Sequence, residues 1–234
     1  MLITSSDNPE LKKIRKLLTD AAYRRAQKKF VVEGFKILQF ACQIQVVYVR
    51  EDLVLPAEFT QYRCRIVRKK IFNALSDVEN PQGILAVCAL PDQPEFSEQK
   101  KYIFLDRLQD PGNLGTILRT AAAFGLDGMI CNKGCADVYA PKVVRSSMGA
   151  VFTLDILYKE INELSGNIVA ASLDGEPPQK IVGGFILAVG NEGQGLSAEV
   201  LAKAAKKITL PFDPAKAESL NAAVSAGILM YLLR

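Results

Sequence analysis

The sequence predicts an α/β protein built from two domains. Short apolar segments of strand length alternate along the chain with segments whose apolar residues recur at helical spacing. The composition, 49% hydrophobic and 23% charged, is typical of a globular protein and excludes a disordered or fibrous chain. Prolines and charges are concentrated in residues 90–101, and we place a domain linker at residues 93–101.

Residues 1–92 are predicted to form a small α/β domain. Residues 1–36 contain nine Lys and Arg against four acidic residues, and a second basic cluster spans residues 63–70. Such charge suits attraction to an RNA phosphate backbone, but it also fits a solvated helix face, and charge alone leaves both interpretations open. The predicted helices are 8–18, 21–30, 35–42 and 70–77, and the predicted strands are 30–34, 46–50, 64–68 and 83–90.

Residues 102–234 are predicted to form a mostly parallel sheet that is covered by helices on both faces. Apolar strands alternate here with helical segments, which is the pattern of parallel strands joined by helical crossovers. The predicted strands are 102–106, 128–132, 167–174, 185–189 and 208–212, and the predicted helices are 113–125, 198–207 and 219–233.

Several kinds of chemistry are excluded by the residue types that are absent. The chain has no histidine, which excludes a Ser-His-Asp triad, a Cys-His dyad and a histidine metal site. The five cysteines lie mostly within apolar runs, and we interpret them as buried free thiols of a cytoplasmic protein. The spacing of Cys131 and Cys135 is a poor zinc signature, and no apolar run reaches the ~20 residues of a membrane span, so neither a metal nor a membrane is expected.

A first motif, residues 110–125, follows the strand 102–106 directly. Asn113 is predicted to be the N-cap of a helix, and Gly125 suits the left-handed position after that helix. Arg119 lies off the apolar stripe of the helix and must face solvent or a cleft; taken alone, it would more often be a plain surface arginine. The stripe consists of Leu114, Ile117, Leu118 and Ala121.

A second motif follows the apolar strand that ends at Val189. Gly190, Gly193 and Gly195 have neither the order of a dinucleotide-binding fingerprint nor the Gly-Lys-Ser/Thr of a P-loop. Glycines at a strand end can present backbone groups to an uncharged ligand edge such as an adenine ring. A tight turn without a ligand is an equally good interpretation.

A third motif, residues 210–221, opens the last helix. Glu218, Ser219 and Asn221 converge on the helix N-terminus, where polar ligand groups are favoured, although capping alone explains one of them. The apolar stripe of the helix is predicted to pack in the core, and it consists of Leu220, Val224, Ile228 and Tyr231 or Leu232.

The order and spacing of these three motifs resemble those of the SpoU (TrmH-like) family of RNA ribose 2′-O-methyltransferases, within the SPOUT superfamily. The matching segments read DPGNLGTILRTAAAFG, AVGNEGQGLS and LPFDPAKAESLNAAVSAG. Residues 28–38, 79–87 and 142–152 also look like segments of that family, so the resemblance covers nearly the whole chain.

The resemblance implies a fold, a cofactor and partners. The fold would be a SPOUT-type parallel sheet with a C-terminal trefoil knot in a methyltransferase domain of residues 102–234. Residues 1–92 would form a small ribosomal-protein-like α/β domain that binds the RNA substrate. The methyl donor would be S-adenosylmethionine, and the active site would lie at the interface of a homodimer.

The resemblance also implies roles for individual residues. Arg119 matches the family's catalytic arginine, and Asn113, Glu192, Ser219 and Asn221 match its other polar site residues. The cofactor would be bound by Gly190, Leu210 and Leu220, together with Val189 and Phe212. The third motif departs from the family pattern, because Phe212 and residues 213–215 stand where Met and Gly are usual and the segment is one residue longer. Leu210 and Phe212 could therefore exchange roles.

The expected activity is methylation of a ribose 2′-hydroxyl in large-subunit ribosomal RNA. The alternatives are a transfer RNA substrate, or a non-catalytic RNA-binding or ribosome-assembly protein with the same fold. A guanidinium group keeps its proton in proteins, so we expect Arg119 to hold phosphate and stabilise developing alkoxide rather than act as a base. Ser219 and Asn221 would orient the hydroxyl, and Glu192 would restrain Arg119 or a neighbouring polar group.

Overall fold

A computed structural model describes residues 2–76, 78–213, 215–216 and 219–234, so Glu218 lies outside the described residues. The chain divides into two compact units. The first unit contains the residues up to Asp92 together with residues 139–152, and the second contains residues 93–138 and 153–234. Residues 139–152 thus pack with the first unit, although they follow the predicted linker in the sequence.

The first unit is built on a mixed five-stranded sheet. Helix α1 packs on it through Leu11, Ile14 and Leu17, and begins after Asn8, whose side chain accepts a hydrogen bond from the Glu10 N–H at 2.8 Å. The strand order is β1-β4-β3-β5-β2. The elements are β1 (Leu2–Ile3), α1 (Pro9–Thr19), α2 (Ala21–Gln27), β2 (Lys29–Glu33), α3 (Phe35–Leu38), β3 (Ile44–Arg50), β4 (Cys64–Val67), α4 (Lys69–Leu75) and β5 (Ile84–Ala89).

The second unit contains a six-stranded sheet whose described strands all pair in parallel, in the order β11-β9-β10-β6-β7-β8. This confirms the predicted parallel α/β arrangement, while the trefoil knot stays a prediction. The elements are β6 (Lys101–Asp106), α5 (Pro111–Ala123), β7 (Gly128–Cys131), α6 (Pro141–Ser146, in the segment that packs with the first unit), β8 (Asp155–Tyr158), β9 (Ile168–Glu176), β10 (Phe185–Gly190), α7 (Ala198–Lys203), β11 (Lys206–Ile208) and α8 (Ala222–Leu233).

The topology marks one position at the edge of this sheet. Strands β6 and β10 are neighbours with Gly190 opposite Asp106. The chain nevertheless leaves β6 toward β7 on one side, and β10 pairs with β9 on the other side. Ligands of open parallel sheets bind at the carboxyl ends of the strands where the connections diverge in this way.

Two local predictions about α5 have different outcomes. The helix begins at Pro111, and the Asp110 carboxylate is its cap, since it accepts the Asn113 N–H at 2.6 Å. The prediction that Asn113 is the N-cap is therefore wrong, because Pro111 can start the helix one position after an acidic cap. Gly125 has φ +74° directly after the helix, as predicted.

The predicted core stripe of α8 is also wrong. Val224, Ile228 and Tyr231 are 40–53% exposed. The helix instead buries the face that carries Ala222, Ala223, Ala226, Leu229, Met230 and Leu233. Helix α8 also lies close to α5 at Gly227, where an added Cβ would come within 3.3 Å of the Thr120 methyl carbon. Leu232 is exposed as well.

The cysteines are all free thiols, but they are not all buried. Cys88 and Cys131 are buried, Cys64 and Cys135 are half-buried, and Cys42 is exposed. Among the described residues, no helix is both long and apolar enough to span a membrane.

Candidate active site

A cavity of about 440 Å³ lies at the carboxyl end of β10. Its walls come from the second and third motifs, from residues 171–173 in the middle of β9, and from Ser225 and Leu229 of α8. The five residues that were predicted to bind the cofactor all line this cavity, namely Val189, Gly190, Leu210, Phe212 and Leu220.

The glycine segment forms a tight turn that is also a wall of the cavity. Asn191 and Gly195 exchange two backbone hydrogen bonds of 3.1 and 2.8 Å. A Cβ at Gly190 would approach the Gly195 carbonyl carbon to 2.2 Å, and Gly195 has φ +65°, so both positions require glycine. The Asn191 side chain closes the turn by accepting the N–H groups of Gly193 and Gln194. The two interpretations of the sequence, a tight turn and a ligand-facing loop, are therefore compatible.

A chain of hydrogen bonds connects the three motifs. The Asn113 side-chain Nδ2 donates to Glu192 Oε1 at 2.7 Å, and its Oδ1 accepts from Asn221 Nδ2 at 3.0 Å. Asn221 is the N-cap of α8, where its Oδ1 accepts the N–H groups of Ala223 and Val224. The arrangement fixes the N-terminus of α8 against the first turn of α5 and against the glycine turn.

The predicted polar residues differ in how they reach the cavity. Glu192 and Ser219 line it, whereas Asn113 and Asn221 are connected to it through the bond to Glu192. Arg119 is exposed on α5, is not part of the lining, and makes no hydrogen bond or ion pair with the described part of the chain. Glu192 is thus hydrogen-bonded to the neighbouring polar group of Asn113 and not to Arg119.

The model of the SpoU rRNA methylase family matches residues 100–231, which is more than half of the chain. The chain belongs to the SpoU rRNA methylase family. The model of an MRM3-like substrate binding domain matches residues 8–86. The family was therefore predicted correctly from the three motifs.

Two rRNA methyltransferases align with nearly the whole length of this chain. It is 34% identical to 23S rRNA (guanosine(2553)-2′-O)-methyltransferase RlmP of Bacillus subtilis, over 99% of this chain and 98% of that protein. It is 27% identical to mitochondrial rRNA methyltransferase 3A of Danio rerio, over 97% of this chain and 68% of that protein. The crystal structure of an AdoMet-bound rRNA methyltransferase from Sinorhizobium meliloti superposes with a TM-score of 0.85 at 27% identity, over 99% and 96% of the two chains.

Two site residues of this SpoU chain, Asp106 and Arg107, were missed by the sequence analysis. The Asp106 carboxylate is fully buried and accepts from the Ser197 N–H at 2.6 Å, from Asn132 Nδ2 at 2.8 Å and from Arg107 Nε at 3.0 Å. Burial raises the pKa of Asp106, but these hydrogen bonds outweigh it and hold the pKa below its ordinary value. The carboxylate is therefore buried in its charged form.

Arg107 extends from this buried carboxylate to the glycine turn. Its Nη1 donates to Gln194 Oε1 at 3.0 Å, and its backbone carbonyl accepts from Asn191 Nδ2 at 3.0 Å. A signal for Asp106 was present in the sequence, since a carboxylate that ends a fully apolar strand must find donors there. Arg107 gave no such signal, because an arginine after a strand end is usually a solvated residue.

Proposed function

We propose that this chain is an S-adenosylmethionine-dependent RNA methyltransferase that methylates a ribose 2′-hydroxyl of large-subunit ribosomal RNA. One observation carries the proposal: a single cavity at the topological break of the sheet is lined by residues of the second and third motifs, and the first motif is hydrogen-bonded to its wall. The named ribosomal RNA methyltransferases to which the chain is similar support the substrate class.

The residues of the cavity suit S-adenosylmethionine. A volume of about 440 Å³ lies within the ~300–1,000 Å³ range of small-molecule sites. Leu210, Phe212 and Leu220 would supply apolar walls for the adenosine, and the backbone around Gly190 would supply its polar contacts. The carboxylate of Glu192 offers a negative group to a cationic ligand. When bound, this cofactor supplies an activated methyl group.

We assign Arg119 an electrostatic role. The chain has no histidine to remove a proton from a hydroxyl, and a guanidinium group does not lose its proton. Arg119 is exposed and has no partner among the described residues, so it can hold an RNA phosphate and stabilise negative charge on the attacking oxygen.

Ser219 and Asn221 take different roles. The carbonyl oxygen of Asn221 is already used by the first N–H groups of α8, and its amide nitrogen donates to Asn113. Asn221 therefore acts by positioning the helix and the chain of hydrogen bonds. The exposed Ser219 lines the cavity and has no hydrogen bond to the part of the chain that the structure describes, so its hydroxyl can orient the ribose hydroxyl.

We further propose that a second copy of the chain covers an apolar groove between α5 and α8. The groove is lined by Thr116 and Thr120 of α5 and by Val224, Ile228 and Tyr231 of α8. Contiguous exposed apolar residues of this kind mark interfaces. Arg119 lies one turn after Thr116 and does not line the cavity of its own chain. In a homodimer that forms through this groove, Arg119 would lie at the interface, where it could act on groups bound to the partner subunit.

The first unit would bind the RNA through its exposed lysines and arginines. Part of the basic charge is used internally, because Arg24 is buried against the Leu17 carbonyl and Arg65 bonds to Glu10. Lys13, Lys16, Arg25 and Lys28 are exposed on or directly after α1 and α2. We also infer a cytoplasmic location, since all five cysteines are free thiols.

The test is methyl transfer from labelled S-adenosylmethionine to purified ribosomal RNA and transfer RNA, followed by mapping of 2′-O-methyl groups. We expect label in large-subunit ribosomal RNA. Arg119→Ala should lower kcat by roughly 10²–10³-fold and leave the Kd for the cofactor unchanged. Lys203→Ala, an exchange on α7 away from the cavity, is the control.

Two outcomes would overturn this proposal. Label found in transfer RNA and not in ribosomal RNA would contradict the substrate class, and absence of any cofactor binding by calorimetry would contradict the activity. If Arg119→Ala kept wild-type transfer while Asn221→Ala abolished it, the assigned roles would be wrong.

A further inference from the structure

Four hydrogen bonds connect the consecutive residues Asp106 and Arg107 to the segment 191–197, and the longest runs from Arg107 Nη2 to the Gly195 carbonyl at 3.5 Å. At the start of the segment, Asn191 Nδ2 donates to the Arg107 carbonyl at 3.0 Å. In the middle, the Arg107 Nη1 donates to Gln194 Oε1 at 3.0 Å. At the end, the Ser197 N–H donates to the Asp106 carboxylate at 2.6 Å. The segment is thus held along its length from β6.

The first part of this segment, residues 191–195, forms a wall of the cavity. The hydrogen bonds within the turn connect residues 191–195 only to one another, and Gly193 and Gly195 give the segment freedom to adopt other conformations. When a ligand binds backbone groups there, ordering the turn makes the net free energy of binding less favourable, unless the turn is already fixed before binding. Contacts that fix the turn in the empty cavity therefore increase affinity for whatever binds.

Arg107 has an unusual backbone conformation, and hydrogen bonds hold both its backbone and its side chain. Arg107 has φ +57°, a left-handed conformation that costs a non-glycine residue energy. Its own N–H is held by Asn132 Oδ1 at 2.7 Å, and its Nε is held by Asp106 at 3.0 Å. Asn132 thus fixes the Arg107 backbone and Asp106 fixes its guanidinium, so that Nη1 donates to Gln194.

We propose that Arg107, fixed by Asp106, is a positioning residue that holds the glycine turn in the conformation that receives the cofactor. The inference rests on the proposed function, because it assigns the ligand of the turn as S-adenosylmethionine. In this role the Arg107 side chain acts through Gln194 and the Gly195 carbonyl, and not on the methyl group or the RNA.

The test uses the full-length protein with Arg107→Gly and Arg107→Lys. Glycine accepts the left-handed backbone, so Arg107→Gly removes the side chain without straining the backbone. We expect the Kd for S-adenosylmethionine, measured by calorimetry, to rise about tenfold in Arg107→Gly and about threefold in Arg107→Lys. The KM for the cofactor should rise in parallel, while kcat at saturating cofactor stays within about twofold.

Hydrogen exchange in the cofactor-free protein supplies a readout that does not depend on activity. The amides of residues 193–195 should exchange faster in Arg107→Gly, whereas the amides of β6 and β10 should keep wild-type protection. Gln43→Gly is the control, because Gln43 is exposed in the first unit and also has a positive φ of 55°.

Gln194→Ala should weaken binding to a similar extent, and the double variant should be little worse than either single one, since both substitutions remove the same hydrogen bond. An unchanged Kd in Arg107→Gly, or faster exchange spread over the whole sheet, would overturn the inference. If the wild-type protein itself fails to bind S-adenosylmethionine, the proposed function fails first.

Discussion

Asp106 shows how a single buried charge can be kept ionised by its donors. Both carboxylate oxygens are hydrogen-bonded, to the Ser197 N–H on one side and to Asn132 and Arg107 on the other. Because the pKa of Asp106 is lower in the folded chain than its ordinary value of 3.8, the unfolded chain binds the proton more tightly. Its contribution to stability is complete above that ordinary value and is lost as the pH falls through the lower folded pKa.

We therefore predict that Asp106→Asn lowers the free energy of unfolding by about 3 kcal/mol near pH 7. The difference in free energy of unfolding between the variant and the wild type should become smaller as the pH falls below the ordinary pKa of 3.8. Protonated Asp106 then resembles the amide of asparagine. Urea denaturation at a series of pH values measures this. Asp92→Asn, at the exposed last residue of the predicted first domain, is the matched control. A difference that does not vary with pH would contradict the role of the charge.

The site residues that could be predicted from the sequence are those that belong to short motifs. Val189, Gly190 and Leu210 were found in this way, and they line the cavity. Arg107 could not be found, because its importance comes from a contact with Gln194, 87 positions away in the sequence. The hydrogen bond between Asn113 and Asn221 spans a similar distance and was equally invisible to local pattern reasoning.

At the scale of elements, periodicity predicted where helices and strands lie better than which face they bury. The stripe of α8 satisfied helical spacing, but the helix buries the face that carries Ala226, Leu229 and Met230. Apolar periodicity gives the same signal for a core and for a surface that another chain covers. Strand β8 was missed because only Ile156 and Leu157 are buried in it, which is too short for a pattern.

The exposed stripe gives a prediction for α8. Ile228→Asp should convert a dimer into a monomer, because it places a charge in an apolar interface. The monomer should remain folded, as its circular dichroism spectrum would show, since Ile228 is already 40% exposed in the single chain. Methyl transfer should fall together with the dimer fraction. Analytical ultracentrifugation, run beside the transfer assay, measures both.

Val54→Asp is the matched control for Ile228→Asp. Val54 is 91% exposed in the first unit and does not line the α5–α8 groove, so the dimer and the activity should persist. A fully dimeric Ile228→Asp protein would show that this groove is not the interface.

At the scale of the whole molecule, the sequence predicted a two-domain α/β chain because composition and alternation are properties of long segments. It did not predict that residues 139–152 pack with the first unit. That packing depends on contacts such as those of the Phe30 ring with Tyr139 and Phe152, at centroid distances of 4.8 and 5.8 Å. Aromatic residues in a loop do not indicate which partner they will meet.

The exposed basic residues of the first unit lead to a prediction about RNA affinity. Lys13 and Lys16 are exposed on α1, and each phosphate that a lysine neutralises adds to the salt dependence of binding. Lys13→Gln combined with Lys16→Gln should reduce the slope of log K against log salt by roughly 1.5. Lys159→Gln combined with Lys203→Gln removes the same charge from the second unit and should leave the slope unchanged. Equal slopes for both double variants would show that α1 does not contact the RNA backbone.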